Sequence, residues 1–168
     1  GLKFEAEPII GQKTGFFLDQ RDNRARVGKL SRGQKVLNVF SYTGGFSLYA
    51  ASNAAKSVTS LDLSRPALDA ALNNFQLNEH HPHISGTPHL LICDDAFEAL
   101  RKLAEDGKKY DLVILDPPSF AKKRVDIPGA LKAYERLVKR GLGVLAEGGV
   151  LVSASCSSRI PADTFFET

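Results

Sequence analysis

Val36-Leu37-Asn38-Val39-Phe40-Ser41-Tyr42-Thr43-Gly44-Gly45-Phe46-Ser47-Leu48-Tyr49-Ala50 changes character twice along its length. A β-prone apolar run gives way to a polar, glycine-containing turn, and a helical pattern then begins. Gly44 and Gly45 carry no Cβ, tolerate unusual φ/ψ and let a ligand come close to backbone amides at a helix start. The stretch has neither the G-x-G-x-x-G spacing of a dinucleotide fingerprint nor the G-x-x-x-x-G-K-[ST] of a P-loop. It therefore points to a nucleotide-like ligand without naming one.

Outward from this unit, strand and helix patterns alternate. Residues 36–40 read as the first strand and 46–54 as its helix. Residues 57–62 alternate toward an acidic end and read as a second strand. Ser64 is a good N-cap with Pro66 in the first turn, and Leu68, Ala71, Leu72 and Phe75 follow on one helical face. Residues 78–88 read as a loop rich in His, Pro and Gly, and 90–93 as a short third strand. Asp95 with Glu98 resembles a capping box ahead of Phe97, Leu100, Leu103 and Ala104. Residues 111–116 form a fourth strand, stopped by Pro117-Pro118, which cannot continue a ladder. The basic loop Lys122-Lys123-Arg124 leads to a helix with Ala130, Tyr134, Leu137, Val138 and Leu145 on one face, ended by Gly148-Gly149. Residues 150–154 read as the fifth strand, and Pro161 opens a last segment. Ahead of the opening stretch, residues 4–7 and 14–18 read as a β-hairpin around Gly11-Gln12. Residues 22–30 read as a polar helix against the sheet edge.

Five alternations predict an α/β fold of Rossmann-like type: a mostly parallel sheet, helices on both faces and right-handed crossovers, preceded by a β-hairpin. Residues 1–35 are expected to close the ligand site, and 36–168 to form the main domain. Ligands of such sheets bind beyond the carboxyl ends of the strands, near the topological switch. The polar or reactive clusters all fall there: Ser41 to Phe46, Asp62, Asp94-Asp95, Asp116 to Phe120, and Ser155-Cys156-Ser157.

At 168 residues the chain suits one domain with a sizeable core, and its 43% apolar and 24% charged residues are ordinary for a globular protein. No apolar run reaches the roughly 20 residues that cross a bilayer, and no secretory pattern opens the chain, so a cytoplasmic protein is expected. Two cysteines, Cys93 and Cys156, lie far apart without a C-x-x-C, which suggests neither a disulfide framework nor a zinc site. The net charge is only +3. Lys13, Arg21, Arg24, Arg26, Lys29, Arg32 and Lys35 nevertheless make a basic entry segment, usable for phosphates or a ligand carboxylate, or else a solvated helix face. The chain contains no Met, and both ends read as cut through structure, so a piece of a longer protein is expected.

At the strand ends, Asp62 can accept both hydroxyls of a ribose, or serve as a helix-entry charge beside Ser64. Asp95 can receive an adenine amino group, cap the helix at Ala96, or do both. In Asp116-Pro117-Pro118-Ser119-Phe120 two prolines hold a carboxylate and an aromatic face in a rigid turn, which suits the edge and face of a planar base. A D-P-P turn also occurs as plain strand punctuation. Cys156, among small polar residues past the fifth strand, is placed to be an accessible nucleophile. Cys93 reads as buried and inert. His80, His81 and His83 read as solvent-exposed, with metal binding a minor alternative.

Four segments together carry a family resemblance: Gly11 to Arg21 (GQKTGFFLDQR), Phe40 to Phe46 (FSYTGGF), Asp116 to Lys122 (DPPSFAK) and Ser155-Cys156-Ser157. In this order and spacing the chain resembles the S-adenosylmethionine-dependent large-subunit ribosomal RNA cytosine-C5 methyltransferases. The resemblance implies S-adenosylmethionine as cofactor, ribosomal RNA as partner, and no metal or membrane. It implies that Lys13, Phe16, Gln20 and Arg21 close over the methionine part of the cofactor. Asn38 and the turn Ser41, Tyr42, Thr43, Gly44, Gly45 and Phe46 would hold its amino acid and ribose region, Asp62 the ribose hydroxyls and Asp95 the adenine. Asp116 would face the target base, with Pro117, Pro118, Phe120 and Lys122 beside it, and Cys156 would be the nucleophile.

Ser119 stands where some RNA cytosine methyltransferases have a second cysteine, so only a single-cysteine route is available. Cys156 argues against a sister group with a similar D-P-P turn that methylates guanine nitrogen. The family's N-terminal RNA-binding domain and its closing strand pair are not in the sequence. A non-catalytic binding module and, more distantly, a nicotinamide-dependent oxidoreductase are the other classes considered. A bulky residue at Gly44 is expected to abolish cofactor binding while leaving the fold intact.

Overall fold

The computed structural model describes residues 1–5, 17–121 and 123–167. Five strands, β1 (Lys35–Val39), β2 (Ser57–Asp62), β3 (His89–Cys93), β4 (Tyr110–Leu115) and β5 (Leu145–Ser153), form one sheet in the order β3-β2-β1-β4-β5. All four pairings are parallel. The strand sequences explain why the sheet is buried on both faces. Val36 of β1 and Leu112 and Ile114 of β4 join one apolar cluster, while Leu37 and Val39, Val113 and Leu115 join the other. That period of two, without a polar face, is the pattern of a central parallel strand.

The helices divide between the faces according to where the chain turns back. On the first face lie α1 (Arg21–Leu30), α2 (Gly45–Ser52) and α3 (Arg65–Leu77), which contribute Val27, Leu48, Ala51 and Phe75. A short α4 (Pro82–Ser85) follows, adding Ile84 to the same cluster. On the second face, α5 (Ala96–Glu105) and α6 (Ile127–Gly143) contribute Ala99, Leu100 and Leu137. The last helix is α7 (Ala162–Phe166). β1 and β4 are neighbours in the sheet but not in sequence, so the winding reverses between them and opens a crevice at their carboxyl ends.

Local chemistry sets most of the boundaries. The Ser64 hydroxyl accepts the Ala67 N–H at 3.3 Å, and Asp95 accepts those of Phe97 and Glu98 at 3.0 and 3.2 Å. On α3 the buried stripe is Leu68, Ala71 and Phe75, while Leu72 is 40% exposed. α1 packs against α2, not the sheet edge. A Cβ at Gly28 would stand 2.8 Å from the Asn53 side chain and 3.1 Å from the Tyr49 carbonyl oxygen, which is how closely the two helices approach.

Several expectations change. Of the hairpin, residues 6–16 lie outside the described residues. Leu18 opens a 3-10 turn, Leu18–Gln20, and residues 1–5 form no strand. Instead they run along α3, where Asn78 and Asn74 accept the Lys3 and Glu5 N–H groups at 2.9 and 2.7 Å. The stretch 78–88 contains α4. The sixth helix ends at Gly143, and Leu145 already belongs to β5, its helical spacing from Val138 being coincidental. Gly148 and Gly149 are not a helix stop. They sit where the β4–β5 register jumps from Tyr110–Leu145 to Leu112–Val150. Gly148 has φ +71°, and a Cβ at Gly149 would meet the Asp111 carbonyl oxygen at 2.9 Å, so only glycine fits this bulge. Cys93 is exposed, its thiol 3.6 Å from the Leu63 carbonyl oxygen.

A chain of polar side chains runs beneath α2. Asn38 donates to the Ser47 hydroxyl at 2.9 Å, Ser47 and Ser60 share a hydrogen bond at 2.7 Å, and Ser60 meets His89 Nε2 at 2.8 Å. His89 stacks on Phe75 with centroids 3.7 Å apart, and burial lowers its pKa to about 4. The unfolded imidazole titrates near 6.5. Between the two values the unfolded chain binds the extra proton, so the stability this group contributes is present above about pH 6.5 and is lost as pH falls toward 4. In His89→Gln, the loss of unfolding free energy between pH 7 and pH 4 should be smaller than in the parent by up to roughly 3 kcal/mol, read from urea titrations at each pH.

Candidate active site

The turn after β1 has an unusual backbone. Phe40, Tyr42 and Gly44 all have positive φ, at 59°, 48° and 76°. For Phe and Tyr this costs about 1–2 kcal/mol each, so the surroundings must hold it. They do so from β2 and α3. Ser41 N–H donates to the Leu61 carbonyl at 3.0 Å, and Gly44 N–H to the Ser41 carbonyl at 2.9 Å. Tyr42 N–H donates to Asp62 Oδ2 at 2.8 Å, and Asn74 Nδ2 to the Thr43 carbonyl at 2.9 Å. The other Asp62 oxygen accepts the Ser64 N–H at 2.9 Å. The carboxylate at the end of β2 thus fixes both the preceding turn and the entry to α3.

At the end of β4, Asp116 Oδ2 accepts a hydrogen bond from Gln20 Nε2 at 3.3 Å. Burial pushes the Asp116 carboxyl above the usual carboxylate range; the nearby Asp19 charge adds to this, and Arg24 opposes it. Past β5, Ala154 N–H donates to the Leu115 carbonyl at 2.9 Å, which keeps the chain beside β4. Cys156 is thereby delivered to the D-P-P turn, its thiol 3.8 Å from the Pro117 carbonyl oxygen. Ser119 donates to the Ala121 carbonyl at 3.1 Å. Phe120 packs away from the opening, 4.8 Å from the Tyr134 ring and 6.5 Å from Phe97 by centroid.

These ends enclose a cleft of about 580 Å³. Of the residues singled out from sequence, it brings together Gln20, Ser41, Tyr42, Thr43, Gly45, Phe46, Asp62, Asp95, Asp116, Pro117, Pro118 and Cys156. Asn38 lies deeper, fully buried beneath α2. Arg21 points outward and pairs with Asp22 at 3.2 Å. Lys13, Phe16 and Lys122 lie outside the described residues. Gly44 does not line the cleft: a Cβ there would sit 2.8 Å from the Ala71 Cβ. Together with its φ, that makes the position structural and overturns the expectation that a bulky residue would spare the fold.

Sequence reasoning gave no individual role to Arg24, Asp19 or Phe17, which also line the cleft. Arg24 is 4% exposed, and its Nη2 donates to the Phe17 carbonyl at 2.7 Å. Burial lowers the guanidinium pKa against the opposing charges of Tyr49, Asp19 and Asp116. Phe17 meets the Tyr42 ring edge-on at 5.6 Å. One signal was present: Arg24 follows Gln20 by four residues, one helical turn, so the two share a face. The density of basic residues around it hid that signal. Among the described residues no cluster of His, Cys, Asp or Glu has the arrangement of a metal site, and no helix is long and apolar enough to cross a membrane.

A parallel sheet with reversed winding, and a carboxylate-lined cleft at its switch point, define a Rossmann-like protein built to hold a nucleotide-type ligand. The S-adenosylmethionine-dependent methyltransferase family model matches residues 1–168, and the chain belongs to that family. It is 54% identical over 167 residues to a "Ribosomal RNA large subunit methyltransferase" of Deinococcus radiodurans, covering 99% of this chain and 40% of that protein. It is 44% identical to "Ribosomal RNA large subunit methyltransferase I" of Aeromonas salmonicida, covering 98% and 41%. The chain therefore spans about two fifths of the length of the curated relatives it matches. Among solved structures it resembles SMU.776, described as a methyltransferase and complexed with SAH, at TM-score 0.80 and 33% identity over 94% of this chain and 40% of that one. It also resembles a SAM-dependent methyltransferase from Agrobacterium tumefaciens, at TM-score 0.72 and 27% identity over 92% and 50%.

Two substitutions test the turn. Asp62→Asn keeps one acceptor oxygen and puts an amide NH2 against the second backbone N–H; unfolding free energy should fall by about 1–2 kcal/mol in urea titrations. Gly44→Ala should cost roughly 2 kcal/mol or more, since it adds a left-handed alanine and a close contact with Ala71.

Proposed function

We propose that this chain is the catalytic part of an enzyme that transfers a methyl group from S-adenosylmethionine to carbon 5 of a cytosine in large-subunit ribosomal RNA, through a transient bond to Cys156. The observation that carries this reading is the meeting of Cys156 with Asp116-Pro117-Pro118 in one cleft, from positions 39 residues apart in sequence. The family, the names of the relatives and the motif resemblance support the donor and the RNA substrate.

The cleft suits the donor. Its volume is that of a small-molecule site, and Ser41 offers a buried hydroxyl, 5% exposed, that has no partner among the described residues. In this reading Asp62 receives the ribose hydroxyls; each of its oxygens accepts one backbone N–H and retains a lone pair. Asp95 faces the adenine while capping α5, and Gln20 with the turn Ser41 to Phe46 surrounds the amino-acid end. Residues 17–24 close the cleft over it. The donor, when bound, supplies an electrophilic methyl group.

The chain's own residues do the rest. Carbon 5 of cytosine is a poor nucleophile. The Cys156 thiolate adds to carbon 6, and the displaced electron pair makes carbon 5 an enamine carbon able to attack the methyl group. Asp116, held protonated more readily by its burial, shares its proton with the ring nitrogen edge as negative charge develops there. Once the methyl is on carbon 5, the carbon-5 proton passes to solvent, the carbon–sulfur bond breaks, the thiolate departs and the ring-nitrogen proton returns to Asp116. Ser119 follows the prolines with its hydroxyl donated to the Ala121 carbonyl, so the thiolate role falls to Cys156 alone.

In the whole protein, Cys156→Ala should lower 5-methylcytidine formation at least about a thousandfold. Its calorimetric affinity for S-adenosylmethionine should stay within roughly threefold of the parent. Mass spectrometry of nucleosides from treated ribosomal RNA reads the product. Undiminished 5-methylcytidine in the variant refutes the thiolate route, and a methylated guanine would identify the sister activity.

A further inference from the structure

The sequence motifs assign no individual role to Arg24 or Asp19, yet both share the cleft with Asp116. Arg24 is wedged between two segments. Its Nη2 donates to the Phe17 carbonyl at 2.7 Å, and a Cβ on Gly45 would meet its Cδ and Nη1 at 3.1 and 3.2 Å. The guanidinium therefore joins the Leu18–Gln20 turn to the first turn of α2. That turn presents Gln20, whose amide holds the Asp116 carboxylate, and between Gln20 and Phe17 it carries Asp19, exposed at the cleft mouth. One short segment thus brings a cation, an anion and a neutral donor into the cleft that holds Asp116, with the neutral donor, Gln20, bonded to its carboxyl group.

We propose that Arg24 and Asp19 are positioning residues that act on Asp116 as an opposed charge pair, deciding whether it holds the proton shared with the target base; this rests on the reaction proposed above. An arginine suits the task, because its charge survives burial where a lysine's is more easily lost. Of the charges in the cleft, Asp19 favours the protonated form of Asp116 and Arg24 the ionised one. Asp62 and Asp95 from the ends of β2 and β3, and the Cys156 thiol, line the same cleft. Neutralising either member of the pair leaves the other unopposed, so the two neutral variants move Asp116 in opposite directions. A purely structural role for this segment gives no reason for opposite signs.

The experiment is a carboxyl-carbon NMR titration of the ligand-free whole protein, with the Asp116 resonance assigned through Asp116→Asn. Arg24→Gln should raise the Asp116 midpoint and Asp19→Asn should lower it, each by on the order of half a pH unit. In the methylation assay, the limb of the pH–rate profile that depends on protonated Asp116 should follow the same directions. Shifts of equal sign or an unmoved midpoint would overturn the pair. Asp19 is exposed, so its variant keeps the test open if Arg24→Gln fails to fold; an unmoved Asp116 in Asp19→Asn alone is sufficient to refute it. Opposed midpoints together with an active Cys156→Ala protein uphold the pair and refute the proposed adduct.

Discussion

The Asp62 carboxylate is the point on which the cleft depends. Its two oxygens hold the Tyr42 and Ser64 N–H groups, one in the turn after β1 and the other at the entry to α3. A charge-assisted bond to a backbone donor is among the stronger hydrogen bonds available to a protein. Here it offsets the cost of keeping Phe40 and Tyr42 in the left-handed region. With the turn held, α2 starts where Gly44 can lie against Ala71 and Gly45 against Arg24. The cleft wall is thus a consequence of β2 being paired beside β1.

The opposite wall depends on β4 and β5. Two prolines end β4 with Asp116 facing the opening, and the β5 strand follows β4 past its own end through the Ala154–Leu115 hydrogen bond. That extension carries Cys156 to Pro117. Behind it, an aromatic run of Phe97, Phe120, Tyr134 and Phe165 fills the space between α5, α6 and α7, with Arg136 lying 4.2 Å over the Phe97 ring. Tyr134 is 1% exposed and accepts the Ser155 hydroxyl at 3.0 Å. The segment that bears the thiol is therefore tied to the core of the second face. Phe120, read from sequence beside the target base, instead supports the turn from behind.

Much of this was legible because local rules sufficed. The alternation of strand and helix is written in periodicity, and Ser64, Asp95 and Pro117-Pro118 mark boundaries through hydrogen-bonding and ring geometry that need no partner. The clusters at the strand ends also follow from a general property of parallel sheets. Boundaries failed where a tertiary contact outweighed the local pattern. Leu145 keeps a helical spacing but pairs with Tyr110 in the sheet. Gly148 and Gly149 resemble a helix stop but make room for the Asp111 carbonyl.

By itself, then, the sequence determined the α/β alternation, the family and the set of polar residues gathered at one sheet edge, because those depend on residue type and spacing along the chain. Only the tertiary structure decided the strand order β3-β2-β1-β4-β5, the left-handed turn clamped by Asp62, the burial of Arg24 and the approach of Cys156 to Pro117. Each of these depends on atoms far apart in sequence competing for the same space. A basic residue on a polar helix carries no mark of whether its side chain stays in water or is buried at the cleft, and for Arg24 the packing of α1 on α2 made that choice.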